Sequence, residues 1–222
     1  MTGVERAAVD FACERVSVRR GGRDIVKPTT FRAKAGEVVV ISGPNGSGKS
    51  SLLDALTGAL PMSTGTLRLR TPTGTAEHPT RTYAAGTGRL FQSTRLFRSL
   101  SVFENLLVAA TSGARYRPSG PNVLQLAEAV SEVERTLRTS RYAMELSAGQ
   151  ERVVSLLCVA LSRPWLLLLD EPFAAMDSTI RPFAESILGR FLSAGASILL
   201  VEHLQNRGTI CPDRVIDMGG LH

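Results

Sequence analysis

The sequence has little cysteine, almost no lysine and no long hydrophobic run. Its three cysteines, Cys13, Cys158 and Cys211, are odd in number and show no CxxC spacing, which argues against a disulfide framework or a zinc site. The longest aliphatic run, LLLL at 166–169, is far too short to cross a bilayer, and the first residues carry acids rather than an apolar signal segment. We therefore expect a soluble chain in a reducing cytosol.

The basic residues are nearly all arginine. Of 26 basic residues only Lys27, Lys34 and Lys49 are lysines, which leaves 26 − 3 = 23 arginines, and the formal net charge is +6. The arginines are scattered along the chain, which argues against a dedicated nucleic-acid surface. A length of 222 residues suits one domain with a full core and leaves room for a small attached lobe.

Two kinds of strand pattern are present. Residues 11–17 and 30–33 partly alternate between apolar and polar side chains, with the turn sequence RRGGR between them, and predict antiparallel strands. VVVI at 38–41, LLLL at 166–169 and ILLV at 198–201 are short and wholly apolar, which is typical of parallel strands buried on both faces.

Helical spacing dominates in two regions. Between about residues 97 and 145, apolar side chains such as Leu126, Val130 and Val133 recur on one helical face and predict an inserted helical lobe. The segment FAESILGRFLSAG predicts a helix that joins two parallel strands and ends at Gly195. Buried strands joined by helices indicate an α/β fold.

GPNGSGKS at 43–50 matches the phosphate-binding pattern G-x-x-x-x-G-K-[S/T] and lies between a buried strand and a helix. Its glycines let backbone N–H groups converge on phosphates, and Lys49 reaches the β- and γ-phosphates. The hydroxyl of Ser50 is available to magnesium. This segment predicts a nucleotide site.

LLLLDEP at 166–172 places two carboxylates at the carboxyl end of a buried strand, where open α/β sheets bind ligands. Asp170 is suited to hold magnesium, and Glu171 is suited to act as general base on an attacking water. His203 directly follows the strand 198–201 at the same predicted edge. LSAGQ at 146–150 predicts a second helix start, at which Ser147 caps and an anion is favoured.

The order of motifs resembles the ATP-binding subunits of ABC transporters, over nearly the whole chain. The motifs in question are GPNGSGKS, FQ, LSAGQ, LLLLDEP, AAMD and VEH. The resemblance implies a P-loop NTPase of the ABC-ATPase type, with a mainly parallel core sheet, an N-terminal antiparallel β subdomain and an inserted α-helical subdomain. It also implies a single domain over residues 1–222, with a helical lobe at about 97–160. The stretch 89–110 looks most like the branched-chain amino-acid uptake branch.

The resemblance assigns a role to each motif. Glu171 and His203 are the implied catalytic residues, and Ser50, Gln92 and Asp170 the implied magnesium ligands. Ser147, Ala148, Gly149, Gln150 and Asp177 are implied to contact the ATP held by a second subunit. The implied contacts to the chain's own ATP are Gly43, Pro44, Asn45, Gly46, Ser47, Gly48, Lys49, Ser50, Ser51 and Arg20.

Several positions depart from the family pattern. Arg20 stands where many members place an aromatic that stacks on adenine; its guanidinium either stacks on the base or points to solvent. Ala148 replaces the first of two usual glycines. Val153 and Cys158 fall where relatives often carry arginine, which removes charge from that helix.

Two classes of function follow. The first is an ATP-hydrolysing subunit that binds Mg²⁺, pairs with an identical or related cassette and drives a separate transmembrane permease from the cytoplasmic face of the membrane. The alternative is a soluble ABC-type ATPase acting on nucleic acid, ribosomes or cofactor assembly, which the scattered basic residues disfavour. A third reading, a regulatory subunit with little turnover, rests on Ala148 and Arg20.

The added methyl of Ala148 generates the first prediction. If it impedes closure over a nucleotide, Ala148→Gly should raise the ATP turnover of the purified chain, because the backbone N–H is kept while the bulk is removed. Steady-state phosphate release measures the effect. An unchanged turnover would show that the methyl is neutral.

Overall fold

A computed structural model describes residues 10–71, 74–78, 86–112, 122–138, 140–202 and 209–219. The strands are β1 Asp10–Arg20, β2 Arg23–Lys34, β3 Val38–Ser42, β4 Thr64–Thr71, β5 Gly74–His78, β6 Thr87–Leu90, β7 Leu166–Asp170, β8 Ser197–Val201 and β9 Arg214–Asp217. The helices are α1 Lys49–Leu56, α2 Val102–Ser112, α3 Leu126–Thr136, α4 Ala148–Leu161 and α5 Arg181–Ser193, with a short 3₁₀ turn at Ala143–Glu145.

The first sheet is antiparallel, in the order β2-β1-β4-β5. The β1–β2 hairpin closes through Gly21 and Gly22, whose φ angles are 56° and 76°. Two consecutive positive φ values match the twist of a tight hairpin and favour glycine at both positions. The predicted N-terminal strands are confirmed, and both are longer than the alternating residues indicated.

The second sheet is parallel, in the order β6-β7-β8-β3-β9. It contains the three predicted all-apolar strands as β3, β7 and β8. The carboxyl ends of its strands therefore lie at one edge, which is where the loop after β3 and the carboxylates after β7 meet.

Both faces of the parallel sheet are covered. Leu166 and Leu168 of β7 pack with the antiparallel sheet and α1, whereas Leu167 and Leu169 pack with the helices α2 to α5. All four side chains are fully buried. Alternate residues of one strand thus enter two different cores, which explains why LLLL contains no polar position.

The helices α2, α3 and α4 lie in sequence between β6 and β7 and pack on one another. Of the apolar face predicted for α3, Val133 is buried, and Leu126 and Val130 are partly buried and pack against the core; Ala129, which was not predicted, is buried as well. The predicted helix before Gly195 is α5, which ends two residues earlier, at Ser193, and Gly195 adopts a φ of 87°. Within the described residues, no helix has the length and apolar character needed to cross a bilayer.

Four strands were not predicted from sequence, namely β4, β5, β6 and β9. In β4 the signal was available, because TGTLRLRT alternates and only its leucines are buried. β6 and β9 have four residues each, too few for a period of two to be distinguished from chance.

Asn105 of α2 fixes the segment that leads from the parallel sheet into the helices. Its side chain is buried, with 4% of its surface exposed. Nδ2 donates to the carbonyl oxygens of Phe97 at 3.1 Å and Ser101 at 2.9 Å, and Oδ1 accepts from the backbone N–H of Phe97 at 2.8 Å. The amide is needed in both capacities, as donor and as acceptor.

This geometry predicts that Asn105→Asp destabilises the protein by about 3 kcal/mol. The buried carboxylate would have no N–H to donate to the carbonyl oxygens of Phe97 and Ser101. Urea unfolding at pH 7 measures the change. Asn122→Asp makes the same substitution at an exposed position and should stay within about 0.5 kcal/mol of the parent. Equal losses in the two variants would contradict the role given to Asn105.

Candidate nucleotide site

The loop after β3 wraps around the ammonium group of Lys49. Nζ donates to the carbonyl oxygens of Gly43 and Pro44, both at 2.8 Å, so the positive charge is held against the loop. Gly48 has a φ of 90°, and a Cβ there would lie 2.2 Å from the carbonyl oxygen of Ile25. Glycine is therefore required both for the turn and for the approach of β2.

A cavity of about 550 Å³ lies over this loop. Six residues predicted to bind ATP line it: Asn45, Gly46, Gly48, Lys49, Ser50 and Ser51. Gln92 and Glu171 line it as well, although they come from other parts of the chain. The P-loop, the Gln92 segment and the end of β7 thus form one cavity.

Four of the residues predicted to contact the chain's own ATP do not line that cavity, and two of these four, Gly43 and Arg20, do not line the adjoining cavity either. Pro44 and Ser47 line an adjoining cavity of about 310 Å³, together with Ile25. Arg20 is exposed at the end of β1, opposite Arg23 in the hairpin register, and is not among the residues that line either cavity. Ile25 lines both cavities and is 37% exposed.

Sequence reasoning missed Ile25. The available signal was an isoleucine in the polar stretch RDIVK, beside a buried valine, where the alternation of β2 turns one of the two toward solvent. Its apolar surface is available to a planar base or ribose at the mouth of the cavity.

Asp170 ends β7 as a buried carboxylate with 2% of its surface exposed. Burial raises the pKa of the Asp170 carboxyl above its ordinary value, while a hydrogen bond from the Ser50 side chain and the charge of Arg89 act in the opposite direction. The Ser50 hydroxyl and the Asp170 carboxylate are hard oxygen donors side by side, which suits Mg²⁺. Among the described residues no cluster of three metal-ligating acids, histidines or cysteines occurs.

Arg89 of β6 is the cation next to Asp170, and sequence reasoning missed it. Its Nη2 lies 3.3 Å from Asp170 Oδ2 and 3.0 Å from Asp54 Oδ1, and its side chain is only 4% exposed. Burial lowers the pKa of the guanidinium, although the two carboxylates oppose this. Because β6 is too short to be recognised from its sequence, no local pattern marked Arg89 as a partner of Asp170.

Glu171 follows in a conformation that is uncommon for a non-glycine residue, with a φ of 47°. Its backbone N–H donates to the carbonyl oxygen of Val201 at 2.9 Å, which fixes the turn after β7 against β8. Its Oε2 accepts from Gln92 Nε2 at 3.3 Å. Strained backbone at a polar cavity edge is a common feature of functional sites.

Residues 147–150, called the signature segment below, begin α4 with a reciprocal capping arrangement. The backbone N–H of Gln150 donates to Ser147 Oγ at 3.3 Å, and the backbone N–H of Ser147 donates to Gln150 Oε1 at 3.1 Å. The predicted cap at Ser147 is confirmed. Ala148 is exposed, and residues 147–150 are absent from the residues that line the P-loop cavity.

Gly149 is pressed against the loop that carries Asp177. A Cβ on Gly149 would lie 2.4 Å from the carbonyl oxygen of Ala175. Asp177 is exposed, and its Oδ1 accepts from the N–H groups of Thr179 at 2.9 Å and Ile180 at 3.0 Å, ahead of α5. His203, the remaining predicted catalytic residue, lies outside the described residues.

Comparison with known proteins identifies the class. The family model described as "ABC transporter" matches residues 26–174. The hemin import ATP-binding protein HmuV of Rhizobium leguminosarum is 32% identical over 211 residues, which cover 91% of this chain and 79% of that protein. The sulfate/thiosulfate import ATP-binding protein CysA 2 of Shewanella oneidensis is 29% identical, over 92% of this chain and 58% of its own length.

A solved nucleotide-free ATP-binding cassette from an ABC transporter has the same fold. It superposes with a TM-score of 0.73 at 23% identity and covers 95% of this chain and 88% of that one. The chain belongs to the ABC transporter family. It is an ATP-binding and ATP-hydrolysing subunit of such a transporter.

The relatives support the ABC transporter family and not specifically its branched-chain amino-acid branch, and they give the alternative function no support. The two relatives above are named for the import of hemin and of sulfate or thiosulfate. Neither name refers to nucleic acid, ribosomes or cofactor assembly.

Replacement of glycine by alanine is expected to have opposite effects on stability at Gly149 and at Gly189. Gly149→Ala should destabilise the protein by roughly 1–3 kcal/mol and lower ATP turnover, because backbone atoms must separate. Gly189→Ala, in α5, where an added Cβ would meet no neighbouring side chain or other segment within 4 Å, should stabilise it by roughly 0.5–1 kcal/mol. Urea unfolding of both variants measures the pair, and a stabilised Gly149→Ala would contradict the packing described.

Proposed function

We propose that this chain acts as one of two cassettes that enclose ATP between them and drive a transmembrane permease. The single observation that carries the proposal is the division of the site: one cavity unites the P-loop with Gln92 and Glu171, whereas the capped signature segment 147–150 is not among its lining residues. Two halves of a phosphate site on different parts of one surface are completed by a second cassette.

The P-loop would hold the phosphates. Lys49 is already positioned against the loop, so its ammonium needs only to exchange carbonyl partners for phosphate oxygens. Gly48 and the first residues of α1 line the same cavity, and the helix dipole favours negative charge at this end. Ile25 would cover the base or ribose, and Arg20 remains a candidate for stacking on adenine.

Ser50 and Asp170 would hold Mg²⁺, with Gln92 as a further oxygen ligand. When bound, the ion would neutralise charge on the β- and γ-phosphate oxygens. These few protein ligands are appropriate because Mg²⁺ usually keeps waters and takes phosphate oxygens as its other ligands. Arg89 holds one oxygen of Asp170 and thereby orients the carboxylate.

Glu171 would act as general base in the hydrolysis step. A water attacks the γ-phosphorus in line with the leaving oxygen, its proton passes to the Glu171 carboxylate, the bond between phosphorus and the bridging oxygen breaks, and ADP and phosphate form. Gln92 donates to that carboxylate and orients it. Lys49 and the loop N–H groups stabilise the charge that develops, and His203 would help to align the water.

The permease would dock beside the Gln92 segment. A groove of about 340 Å³ lies there, between residues 89–97 and the helices α2 and α4, with Leu96, Val108 and Cys158 among the residues that line it. Phe97 near its rim is 58% exposed, and Phe103 of α2 is 42% exposed. Exposed aromatic side chains next to an apolar groove are suited to a protein partner.

The location and the cargo follow from the partner. A cassette bound to a permease would lie in the cytoplasm, on the inner face of the membrane, and import is the direction that the names of the relatives favour. Hemin and sulfate or thiosulfate are the cargo classes those names give. Co-purification with the permease from detergent extracts, followed by transport assays with each class, tests the assignment.

The role of Glu171 gives the decisive enzymatic prediction. Glu171→Gln should lower ATP turnover by at least about 100-fold, because the amide cannot accept the proton from water. ATP affinity should stay within about threefold of the parent, since the phosphate contacts are unchanged. Phosphate release and binding of a fluorescent ATP analogue measure the two quantities.

Glu132→Gln is the matched control. It makes the same change in α3, where Glu132 pairs only with the exposed Arg135 in the contacts described, and turnover should remain at the parental level. Parental turnover in Glu171→Gln would show that another group accepts the proton.

A further inference from the structure

Arg152 of α4 donates to four backbone carbonyls at once. Nη1 contacts the carbonyl oxygens of Phe91, at 3.1 Å, and Gln92. Nη2 contacts those of Asp170 and Glu171, the latter at 2.7 Å. One side chain thus spans the loop after β6 and the end of β7.

The surroundings of Arg152 make these contacts strong. The residue is only 3% exposed. Burial lowers the pKa of its guanidinium, against the attraction of Asp170, Glu171 and Glu202, and arginine stays charged even so. Charge-assisted hydrogen bonds are shorter and stronger than neutral ones, especially where water is excluded.

The contacts of Arg152 connect the start of α4 with the cavity over the P-loop. It lies in the second turn of α4, whose first residues are Ala148 and Gly149, while Ser147 is the cap. The carbonyls it holds belong to Gln92 and Glu171, whose side chains line the cavity over the P-loop. The neighbouring Val153 is buried and apolar, so it offers no second tie of this kind.

We infer that Arg152 is a positioning residue that couples the two halves of the site: it ties the start of the signature helix to Gln92 and Glu171 of the same chain. The inference rests on the proposed function, in which residues 147–150 serve the ATP of the partner cassette. A shift of the Gln92 or Glu171 backbone on ATP binding would then move Ser147 and Gly149. One occupied site would thereby prepare the opposite one.

A planar fork is required for this task. The guanidinium directs its two Nη groups to separate segments, whereas a lysine ammonium is a single point donor on a flexible stem. Lys at position 152 would keep the charge but could not hold both segments in fixed register. Arg152→Lys therefore tests the geometry of the contacts separately from the charge of the side chain.

The test measures ATP-driven dimerisation in a Glu171→Gln background by sedimentation velocity, together with ATP binding to the monomer. Adding Arg152→Met or Arg152→Lys should raise the dimer dissociation constant at least about tenfold, because the signature segment loses its register. ATP affinity of the monomer should stay within about threefold, since no P-loop contact changes. In the Glu171 parent, both variants should lower kcat more than they raise KM.

Arg98→Met is the matched control. Arg98 pairs with Glu151, the residue before Arg152 in α4, and is largely exposed; in the contacts described, its side chain does not reach the carbonyls held by Arg152. Its removal should leave dimerisation within about threefold of the parent. Should Arg152→Met fail to fold, Arg152→Lys alone decides the question.

Parental dimerisation and kcat in Arg152→Lys would overturn the inference, as would losses of monomer ATP affinity equal to the losses in dimerisation. A Glu171→Gln protein that does not dimerise with ATP would instead overturn the proposed function, whatever Arg152 does. The two failures are thus distinguishable.

Discussion

The buried carboxylate of Asp170 is the constraint around which the nucleotide site is organised. A charge at the end of an otherwise apolar strand is costly unless cations or donors surround it. Arg89 supplies a cation from β6, and Ser50 a hydroxyl from α1. The demands of one carboxylate therefore bring together the strand before Gln92 and the helix after the P-loop.

Arg152 extends the same arrangement to the backbone. Its Nη groups are satisfied by carbonyls and not by the carboxylates, which leaves the Asp170 and Glu171 side chains free for other partners. One side chain in this way ties four backbone carbonyls of the two segments. Segments joined by several charge-assisted hydrogen bonds move together, which is what a site needs if small shifts are to be passed from one segment to the next.

The sequence predicted those parts of the site that are local. GPNGSGKS and LLLLDEP each carry their geometry within a few residues, and the all-apolar strands revealed a sheet buried on both faces. Arg89 and Arg152 could not be assigned in that way, because their partners lie 18 to 81 positions away. The place of Ile25 likewise depends on the approach of β2 to the loop at Gly48. Arg20 was selected by family position alone, and the hairpin register leaves it exposed.

Ser147 shows how a capping residue can also serve a ligand. A hydroxyl has one hydrogen to donate and two lone pairs to accept with, and the cap uses only its acceptor capacity toward the N–H of Gln150. The O–H donor is not consumed by the cap and remains available for a phosphate oxygen. The Gln150 side chain in turn accepts from the Ser147 backbone N–H. The position of the hydroxyl is therefore fixed while its O–H can still donate a hydrogen bond. The close packing of Gly149 on Ala175 fixes the same turn from behind, so the start of α4 is already ordered before a second cassette approaches.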